Sequence, residues 1–248
     1  MKGFTEDDYA AHSQKRYFLE SEIINFAEFH RFNSKKTLEI GVGLGADHQK
    51  FAEAGALLWC VNLTPRAISH TTRRFELVDL KSQLAVASAE NLPFEDESFD
   101  AVYSWGVLHH SPNTERALDE VYRILKKGGF AKIMIYHKYS VVGFMLWVRY
   151  GLLCLNPFIT MEQIYLRYLE SPGTKAYSRK DAATRLNFFK IHSLYTPLNH
   201  AVLLNSDVGH RHRGLLLSVM SKVWPRSIIK QFFPHNGIEL MATLQKDL

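Results

Sequence analysis

Residues 37–45 (Thr-Leu-Glu-Ile-Gly-Val-Gly-Leu-Gly) constrain the fold of this 248-residue chain more than any other segment. A short apolar strand runs into a turn with three glycines, and a helical pattern over residues 46–55 follows. Glycine accepts positive φ angles and has no side chain, so bare backbone and a helix N-terminus can approach a ligand closely. The segment predicts an α/β fold with a nucleotide-like ligand at the first strand, either a nicotinamide dinucleotide or S-adenosylmethionine (SAM).

Strand-like and helix-like segments alternate along most of the chain, which is typical of a doubly wound, parallel sheet. Apolar positions share one helical face over residues 114–125, and residues 126–129 (Lys-Lys-Gly-Gly) predict a cationic last turn with a glycine stop. A capping-box-like pair, Ser178 and Asp181, predicts a helix that ends near Phe188. Strands are predicted at 37–40, 57–62, 84–87, 99–105, 130–136, 191–196 and 239–244, and an N-terminal amphipathic helix at 12–32.

The composition bears on the domain count and the compartment. With 46% hydrophobic and 22% charged residues, the chain suits a single α/β domain with room for a lid. Residues 1–9 are polar and acidic, and the longest apolar stretch, 141–155, is interrupted by Arg149 and too short to span a membrane. Cys60 falls in a predicted buried strand, so two reduced thiols (the other is Cys154) and a cytoplasmic location are expected.

Positive charge is concentrated near the C-terminus. Residues 171–248 hold eleven Lys and Arg against four Asp and Glu, within a net charge of +5 for the whole chain. Such a segment suits an anionic substrate, a membrane surface or RNA, and equally a solvated face. Within it, residues 210–213 (His-Arg-His-Arg) form a cationic cluster suited to an anion or to a solvated loop. A third ligand cannot be assigned, so no metal site is predicted.

The spacing of the glycines bears on the choice of ligand. Gly41, Gly43 and Gly45 alternate with single residues, whereas the dinucleotide fingerprint separates its second and third glycines by two residues. Glu39 stands just before the turn, where it could hold the amides of the turn or contact a cationic amino group of the ligand. An NAD-dependent oxidoreductase is therefore disfavoured but stays an alternative.

Four sequence blocks follow the turn: 87–94 (Ala-Ser-Ala-Glu-Asn-Leu-Pro-Phe), 95–100, 103–110 (Tyr-Ser-Trp-Gly-Val-Leu-His-His) and 123–129. In this order the chain resembles the class I SAM-dependent methyltransferases, and among them the small-molecule enzymes that include the ubiquinone/menaquinone biosynthesis group. The resemblance is strong over about residues 35–137. It implies a Rossmann-like, seven-stranded, mostly parallel sheet with helical lid insertions. The expected single domain has a helical lid at 1–34, a SAM-binding core at 35–137, and a substrate lid with the last two strands at 138–248.

The resemblance also implies which residues contact SAM. Asn62 stands where the family usually presents an acid to the ribose, and it keeps hydrogen-bonding capacity without the charge. Ser88 replaces an aspartate beside the adenine, so Glu90 or the backbone of Ala89 is expected to take that role. The implied cofactor-binding set is Glu39, Gly41, Gly43, Gly45, Asn62, Leu63, Ser88, Ala89, Glu90, Ser104, Trp105 and Gly106, with the last three beneath the sulfonium.

Methyl transfer mainly requires in-line positioning and exclusion of water, and a general base is needed only if the acceptor keeps its proton until attack. His109 and His110 follow the fourth predicted strand, and Tyr136 and His137 end the fifth, at the edge where open α/β sheets bind ligands. These four residues are the catalytic candidates. The alternative for the two adjacent histidines is a hydrogen-bonded turn. Glu170 either reaches the acceptor or lies in a turn.

Two apolar segments, 140–155 and 215–233, are predicted to be lid helices. They could line a pocket for a hydrophobic or lipid-like acceptor, or rest on a membrane surface through Trp147, Trp224, Phe232 and Phe233. The alternative is an ordinary lid core or a homodimer contact.

Together these features predict a SAM-dependent methyltransferase that modifies an O, N or C atom of a small acceptor, with hydrophobic molecules among the candidates. RNA methylation remains an alternative because the C-terminal third is basic, although neither an RNA-binding module nor an Asn/Asp-Pro-Pro-aromatic motif is found. No DNA partner is expected. Asn62 and Ser88 stand where the family usually has acidic side chains, so a SAM-fold binding protein without catalysis stays an alternative.

Overall fold

The computed structural model describes residues 4–170, 172–204 and 224–248. Within these residues a seven-stranded sheet has the order β3-β2-β1-β4-β5-β7-β6, in which β1 to β5 pair in parallel and β7 is antiparallel to both of its neighbours. The predicted seven-stranded, mostly parallel sheet is confirmed. The strands are β1 (Lys36–Ile40), β2 (Leu57–Asn62), β3 (Gln83–Val86), β4 (Phe99–Trp105), β5 (Leu125–Tyr136), β6 (Lys190–Tyr195) and β7 (Glu239–Gln245).

Helices flank the sheet. The predicted capping box of Ser178 and Asp181 is confirmed, and Thr64 caps the helix whose first residue is Pro65. The described helices are α1 (Glu6–Leu19), α2 (Glu22–Ala27), α3 (Ala46–Glu53), α4 (Pro65–Leu77), α5 (Thr114–Ile124), α6 (Val141–Trp147), α7 (Met161–Tyr168), α8 (Arg179–Arg185) and α9 (Arg226–Phe232).

The predicted single helix over residues 12–32 is wrong. α1 ends at Leu19, α2 is a separate short helix, and a 3-10 turn covers Phe29–Phe32. Glu28 ends α2 in the left-handed region with φ of 48°, and its carboxylate forms an ion pair with the buried Lys132 of β5. A long-range ion pair thus accompanies a backbone conformation that helical periodicity does not reveal.

The predicted cationic last turn at residues 126–129 is also wrong. α5 ends at Ile124 and β5 begins at once, so these residues lie inside the strand. A register shift in the pairing of β4 with β5 accommodates them, and Gly128 adopts a φ of 72° there. Lys126 extends from this strand to Asp100, with 2.7 Å between Nζ and Oδ1. Residues 126–129 therefore extend β5 and do not form the last turn of α5.

Alternation along the strands divides the candidate residues between the two faces of the sheet. Trp105 and Tyr136 lie on the face that packs against α2 and α3, in the cluster that contains Phe51. His137 is the next residue after Tyr136, so it lies on the opposite face, where Ile135 packs with residues of α5 and α8. The carboxyl edge of the sheet therefore presents two separate groups of polar side chains.

The predicted helix at 140–155 is confirmed as a helical segment. α6 continues into a π-helical turn at Val148–Leu152, and α7 packs against it around the buried Ile164 and Tyr165. In the described part of the chain, no helix combines the length and apolar character needed to cross a bilayer. Of the predicted 215–233 helix, α9 is described. The cationic cluster at 210–213 lies outside the described residues.

Candidate functional site

The glycine turn between β1 and α3 has backbone angles that suit glycine alone. Gly41, Gly43 and Gly45 have φ angles of 86°, 56° and 76°. A Cβ atom built on Gly41 would come within 2.0 Å of Val107, so this glycine is required by packing. A Cβ atom built on Gly43 would meet nothing within 4 Å. Bare backbone therefore borders open space at Gly43.

Glu39 lies beneath the turn in a buried hydrogen-bond chain. Its Oε2 is 2.8 Å from Nδ1 of His48, and Nε2 of His48 is 2.7 Å from Oγ of Ser82. Ser82 donates its hydroxyl proton to the carbonyl of Leu58, so His48 Nε2 must be the donor to Ser82. The carboxyl of Glu39 is therefore bonded to His48, which leaves the predicted contacts of Glu39 with the turn amides without support.

The chain from Glu39 to His48 holds one proton that the two residues share. Burial raises the pKa of the Glu39 carboxyl well above its ordinary value, and the nearby carboxylate of Asp47 raises it further. Burial lowers the pKa of His48 to about 3. A protonated Glu39 that donates to a neutral His48 satisfies both shifts and the direction of every hydrogen bond in the chain.

Two arginines, one of them buried, hold the N-terminal helix α1 over the glycine turn. Arg16 donates to both carboxylate oxygens of Asp47, in the first turn of α3, at 3.2 and 2.8 Å. Arg74 of α4 donates to the carbonyl of Leu44, inside the turn, and to the hydroxyl of Ser13 on α1. The sequence gives no signal for these contacts, because arginine and aspartate at 31 positions apart follow no local periodicity.

The predicted adenosine-side residues lie along the ends of β2 and β3. Asn62 donates its Nδ2 proton to Thr64 Oγ1 at 3.0 Å, and the following Leu63 is 70% exposed. The Ser88 hydroxyl accepts from the backbone of Glu90 at 3.2 Å. Because the Glu90 carboxylate accepts from the backbone amide of Asn113, at the start of α5, it is held away from the role that Ser88 leaves open.

The end of β4 carries the residues predicted to lie beneath the sulfonium. Ser104 is fully buried and donates to the carbonyl of Ile40, which joins β4 to β1. Trp105 is 6% exposed, and its Nε1 has no hydrogen-bond partner. Gly106 then turns the chain with a φ of 72° and donates its amide proton to Met134. An orphaned donor thus lies next to the turn that ends the strand.

Three of the four catalytic candidates meet above β4 and β5. The His109 ring lies 4.1 Å from the Tyr136 ring and 4.2 Å from the His110 ring, between centroids. The Glu170 carboxylate is 3.7 Å from Nε2 of His110, and after burial its charge is a cause of the raised pKa of Tyr136. His110 also contacts Thr174 through Nδ1. Glu170 therefore lies beside this group, in the bend that follows α7.

His109 is buried without hydrogen bonds. Both of its ring nitrogens have no hydrogen-bond partner, and the side chain is fully inaccessible. Burial, aided by the charge of His110, lowers its pKa well below the ordinary value, so the ring is neutral at physiological pH. The neutral imidazole therefore has one unused donor and one unused acceptor for a ligand contact.

His137 does not join this group. It lies on the opposite face of the sheet and donates its Nδ1 proton to the carbonyl of Gly237 at 3.1 Å. Its backbone carbonyl accepts from the hydroxyl of Tyr165 in the lid. Through these contacts, His137 holds α7 and the segment before β7 against the core.

Glu20 and Glu239 complete the polar group, and sequence reasoning missed both. Glu239 faces Tyr136 directly in the antiparallel pairing of β5 with β7. Its Oε1 accepts from Asn199 at 2.5 Å, while its Oε2 is buried without a partner. The Glu20 carboxylate lies beside Trp105, and its Oε2 is 3.0 Å from Nη1 of Arg16. An acid at the first position of the otherwise apolar strand 239–244 was an available signal, whereas Glu20 offered none.

Comparisons with known proteins agree with this fold. Residues 38–133 match the family described as Methyltransferase domain. Sterol 4-C-methyltransferase strm-1 of Caenorhabditis elegans is 31% identical over 101 residues, 40% of this chain and 30% of that protein. The phthiotriol/phenolphthiotriol dimycocerosates methyltransferase of Mycobacterium leprae is 36% identical over 99 residues, 39% of this chain and 36% of that protein.

A solved S-adenosylmethionine dependent methyltransferase from Mesorhizobium loti superposes with a TM-score of 0.61, at 13% identity, over 91% of this chain and 98% of its own. This likeness shows the fold. The matched stretch spans about a third of the length of the curated relatives, for example 30% of the nematode enzyme. Residues 38–133 therefore match a methyltransferase domain, and the fold is the one that this solved SAM-dependent methyltransferase has. Both comparisons favour SAM over NAD as the ligand.

Proposed function

We propose that this chain transfers the methyl group of SAM to an O, N or C atom of a small molecule and releases S-adenosylhomocysteine. The observation that carries the proposal is the open backbone at Gly43, in a turn that belongs to the matched methyltransferase domain. The curated relatives are named for small acceptors, such as a sterol and phthiotriol, which supports a small-molecule acceptor.

The residues present fit SAM. Gly43 leaves room for the methionine part, and α1 covers it through the pair of Arg16 with Asp47. We expect Asn62 Oδ1 to accept from ribose hydroxyls and the exposed Leu63 to offer an apolar surface to the adenine. Because Glu90 is bonded to α5, we assign the adenine contact to the backbone around Ala89. Ser104–Gly106 would lie beneath the sulfonium.

When bound, SAM supplies a methyl group on an activated leaving group. The chain's own residues then have three tasks: to orient the acceptor, to exclude water and, for a protonated acceptor, to take up a proton. We expect His109 and Tyr136, whose rings are 4.1 Å apart at the ends of β4 and β5, to help orient the acceptor. The lids, at residues 1–34 and 138–248, would exclude water from above the sheet.

Calorimetric titration with SAM, S-adenosylhomocysteine and NAD tests the cofactor. We expect micromolar binding of the first two, no binding of NAD, and at least tenfold weaker SAM binding in Gly43→Ala, because its methyl group occupies the open space. Gly55→Ala is the matched control: Gly55 also has a positive φ, 84°, but lies at the end of α3 away from the site. Equal loss in both variants, or binding of NAD alone, would refute the proposal.

The class of acceptor is tested by incubation with labelled SAM. Transfer to small molecules but not to RNA supports the proposal, and transfer to RNA would instead favour the alternative that the basic C-terminal third motivates. SAM binding without transfer to either class would indicate a binding protein without catalysis. A cytoplasmic location stays a prediction from the sequence.

We further propose that the lid rests on an anionic membrane surface. Leu155 and Phe158 are each 92% exposed at the loop between α6 and α7, and Arg149 and Arg167 belong to the two segments that this loop connects. Flotation with phosphatidylglycerol vesicles is expected for the wild type and not for Leu155→Glu/Phe158→Glu, with phosphatidylcholine vesicles as the control. Sedimentation that shows a homodimer, lost in the same variant, would assign the surface to a second copy instead.

A further inference from the structure

We propose that residues 172–175 (Pro-Gly-Thr-Lys), here named the strap, form a gate that must lift before an acceptor can reach His109. This inference rests on the proposed methyltransferase function and concerns access to the same site. Three observations carry it: the contacts that fasten the strap, the unpaired nitrogens that it covers, and the glycine about which it can turn.

The strap is fastened to the turn that follows β4. The backbone amide of Lys175 donates to the carbonyl of His109 at 3.2 Å. The ammonium group of Lys175 donates to the carbonyls of residues 111 and 112, at 2.7 and 2.6 Å. The hydroxyl of Thr174 lies 3.3 Å from Nδ1 of His110. Two adjacent residues of the strap therefore hold the whole turn in place.

His109 lies between the strap and the end of β5. Its ring is 4.1 Å from the ring of Tyr136, between centroids, and its backbone is bonded to the strap. The side chain of His109 is fully inaccessible, and Thr174 in the strap is 1% exposed. An acceptor therefore cannot contact the His109 ring while the strap is closed.

The closed strap covers polar atoms that have no partner. Both ring nitrogens of His109 lack a hydrogen-bond partner. A neutral imidazole has one donor and one acceptor, and burial of both without partners is unfavourable. When the strap lifts, the two nitrogens can bond to water or to an acceptor. The closed state thus carries a desolvation cost that opening relieves.

Opening would break only a few contacts. The two bonds of the Lys175 ammonium group go to neutral carbonyls, and water can replace such bonds at a small net cost. Pro172 and Gly173 are exposed, so the strap buries little apolar surface. Segments with few buried apolar contacts open locally, at a lower free energy than global unfolding.

One end of the strap is fixed, and the other end can turn. Beyond the strap, the amide of Tyr177 donates to the carbonyl of Tyr136 at 2.8 Å. Gly173 is bonded through its amide to Leu166 of α7 at 3.2 Å and has a φ of 93°. A Cβ atom built on Gly173 would meet nothing within 4 Å, so this residue has room to rotate. Rotation there would lift the next two residues and leave β5 in place.

Diethyl pyrocarbonate, a small reagent that acylates neutral imidazole nitrogens, tests whether the strap opens. The full chain is treated near neutral pH, and peptide fragmentation in a mass spectrometer separates His109 from His110. Burial, aided by the charge of His110, lowers the pKa of His109, so its ring is reactive once it is exposed. The exposed His30 serves as the internal reference for the reagent.

The dependence on urea distinguishes local opening from global unfolding. We expect His109 to be acylated slowly in the folded protein, at a rate that low urea concentrations leave unchanged. Local opening exposes little surface, whereas global unfolding exposes much and accelerates steeply with urea. Hydrogen exchange of the Lys175 amide, which is bonded to His109, should show the same independence of urea.

Two variants should loosen the strap. Lys175→Met removes both ammonium bonds and keeps an apolar stem, so we expect acylation of His109 to become about tenfold faster. Lys180→Met, at an exposed position in α8, is the matched control and should leave the rate unchanged. Thr174→Val keeps the branched shape and removes the contact with His110, so it should also accelerate the reaction and serves if Lys175→Met does not fold.

The outcomes separate this inference from the function on which it rests. Acylation of His109 that follows global unfolding in urea, or equal rates in Lys175→Met and Lys180→Met, would overturn the gate. Calorimetric titration with S-adenosylhomocysteine is measured separately, and a wild-type protein that does not bind it would refute the methyltransferase proposal alone. Faster acylation in Lys175→Met, with S-adenosylhomocysteine bound as in the wild type, would support both.

Discussion

Arg16 of α1 and Asp47 of α3 form a two-pronged ion pair directly above the glycine turn. Arg16 Nε and Nη2 lie 3.2 and 2.8 Å from the two carboxylate oxygens, and the Tyr103 hydroxyl donates to the same carboxylate at 3.1 Å. Because Asp47 is buried, the first helix of the chain is tied to the first turn of the helix after Gly45. The N-terminal lid and the candidate cofactor site are thus mechanically linked.

Removing Arg16 should both destabilise the protein and weaken SAM binding. In Arg16→Met the buried Asp47 carboxylate loses its cation, so we expect the free energy of unfolding to fall by about 3 kcal/mol. SAM binding should weaken because α1 is no longer fixed over the turn. Urea denaturation and calorimetry measure the two effects.

Arg73→Met is the matched control for Arg16→Met. Arg73 forms a 3.7 Å pair with Glu76 on the surface of α4, where both side chains are more than half exposed. A surface pair of this kind contributes little, so the free energy of unfolding should change by less than about 0.5 kcal/mol. Similar losses in the two variants would show that the contact of Arg16 with Asp47 has no special weight.

The shared proton of Glu39 and His48 predicts a pH dependence of stability. The pKa of Glu39 is higher in the folded state than its ordinary 4.5. The stability that protonated Glu39 contributes is therefore fully present below pH 4.5 and is lost as the pH rises toward the folded-state pKa. The pKa of His48 is lowered from 6.5 to about 3, so stability is lost as the pH falls below 6.5. The two effects cancel between pH 4.5 and 6.5, and stability declines outside that range.

Glu39→Gln isolates the first effect, because the Gln amide can still donate to His48. Relative to this variant, the wild type should lose about 1.4 kcal/mol of unfolding free energy per pH unit above pH 4.5. Denaturation of both proteins at several pH values gives the difference directly. A difference that does not change with pH would mean that the folded pair carries no proton.

Local pattern predicted the core of this fold well. β2 and β4 begin and end at the predicted residues, and the glycine turn has the expected positive φ angles. In these segments, burial on both faces and the conformational needs of glycine act through neighbouring residues alone. The break at Glu28 depends instead on an ion pair with Lys132, more than a hundred positions away.

The candidate site was predicted in part for the same reason. His109, His110 and Tyr136 were found because they follow strands whose carboxyl ends share one edge. His137 was placed with them, although strand alternation puts its side chain on the other face. Glu20 and Glu239 reach the site through the packing of α1 and the antiparallel insertion of β7, which adjacent residues do not encode.

His109 and His137 should respond in opposite directions to replacement by phenylalanine. His109 buries two unpaired nitrogens, so His109→Phe removes a desolvation cost and should leave stability unchanged or raise it by about 1 kcal/mol. His137→Phe removes the donor to Gly237 and should lower stability by about 1–3 kcal/mol. Thermal and urea denaturation compare the two. A large loss in His109→Phe would show that His109 serves the core, in which case its proposed ligand role loses its main support.

Packing alone should prevent any side chain at Gly237. A Cβ atom built there would come within 1.6 Å of the carbonyl oxygen of Pro197, which is backbone and cannot turn away. The peptide of Gly237 also connects Thr196 with His137, through its amide and carbonyl. Gly237→Ala should therefore push apart the ends of β6 and β7 and lower the free energy of unfolding by about 3 kcal/mol or more.

Gly173→Ala separates this steric effect from backbone strain. Gly173 has a φ of 93°, but a Cβ atom there would meet nothing within 4 Å. Gly173→Ala should therefore lower the free energy of unfolding by only about 1–2 kcal/mol, the cost of alanine in the left-handed region. Because Glu239 follows Gly237 by two residues at the start of β7, Gly237→Ala should also displace Glu239 from Tyr136. A measured loss no larger than that of Gly173→Ala would mean that the segment around Pro197 yields, and that the position of Glu239 does not depend on it.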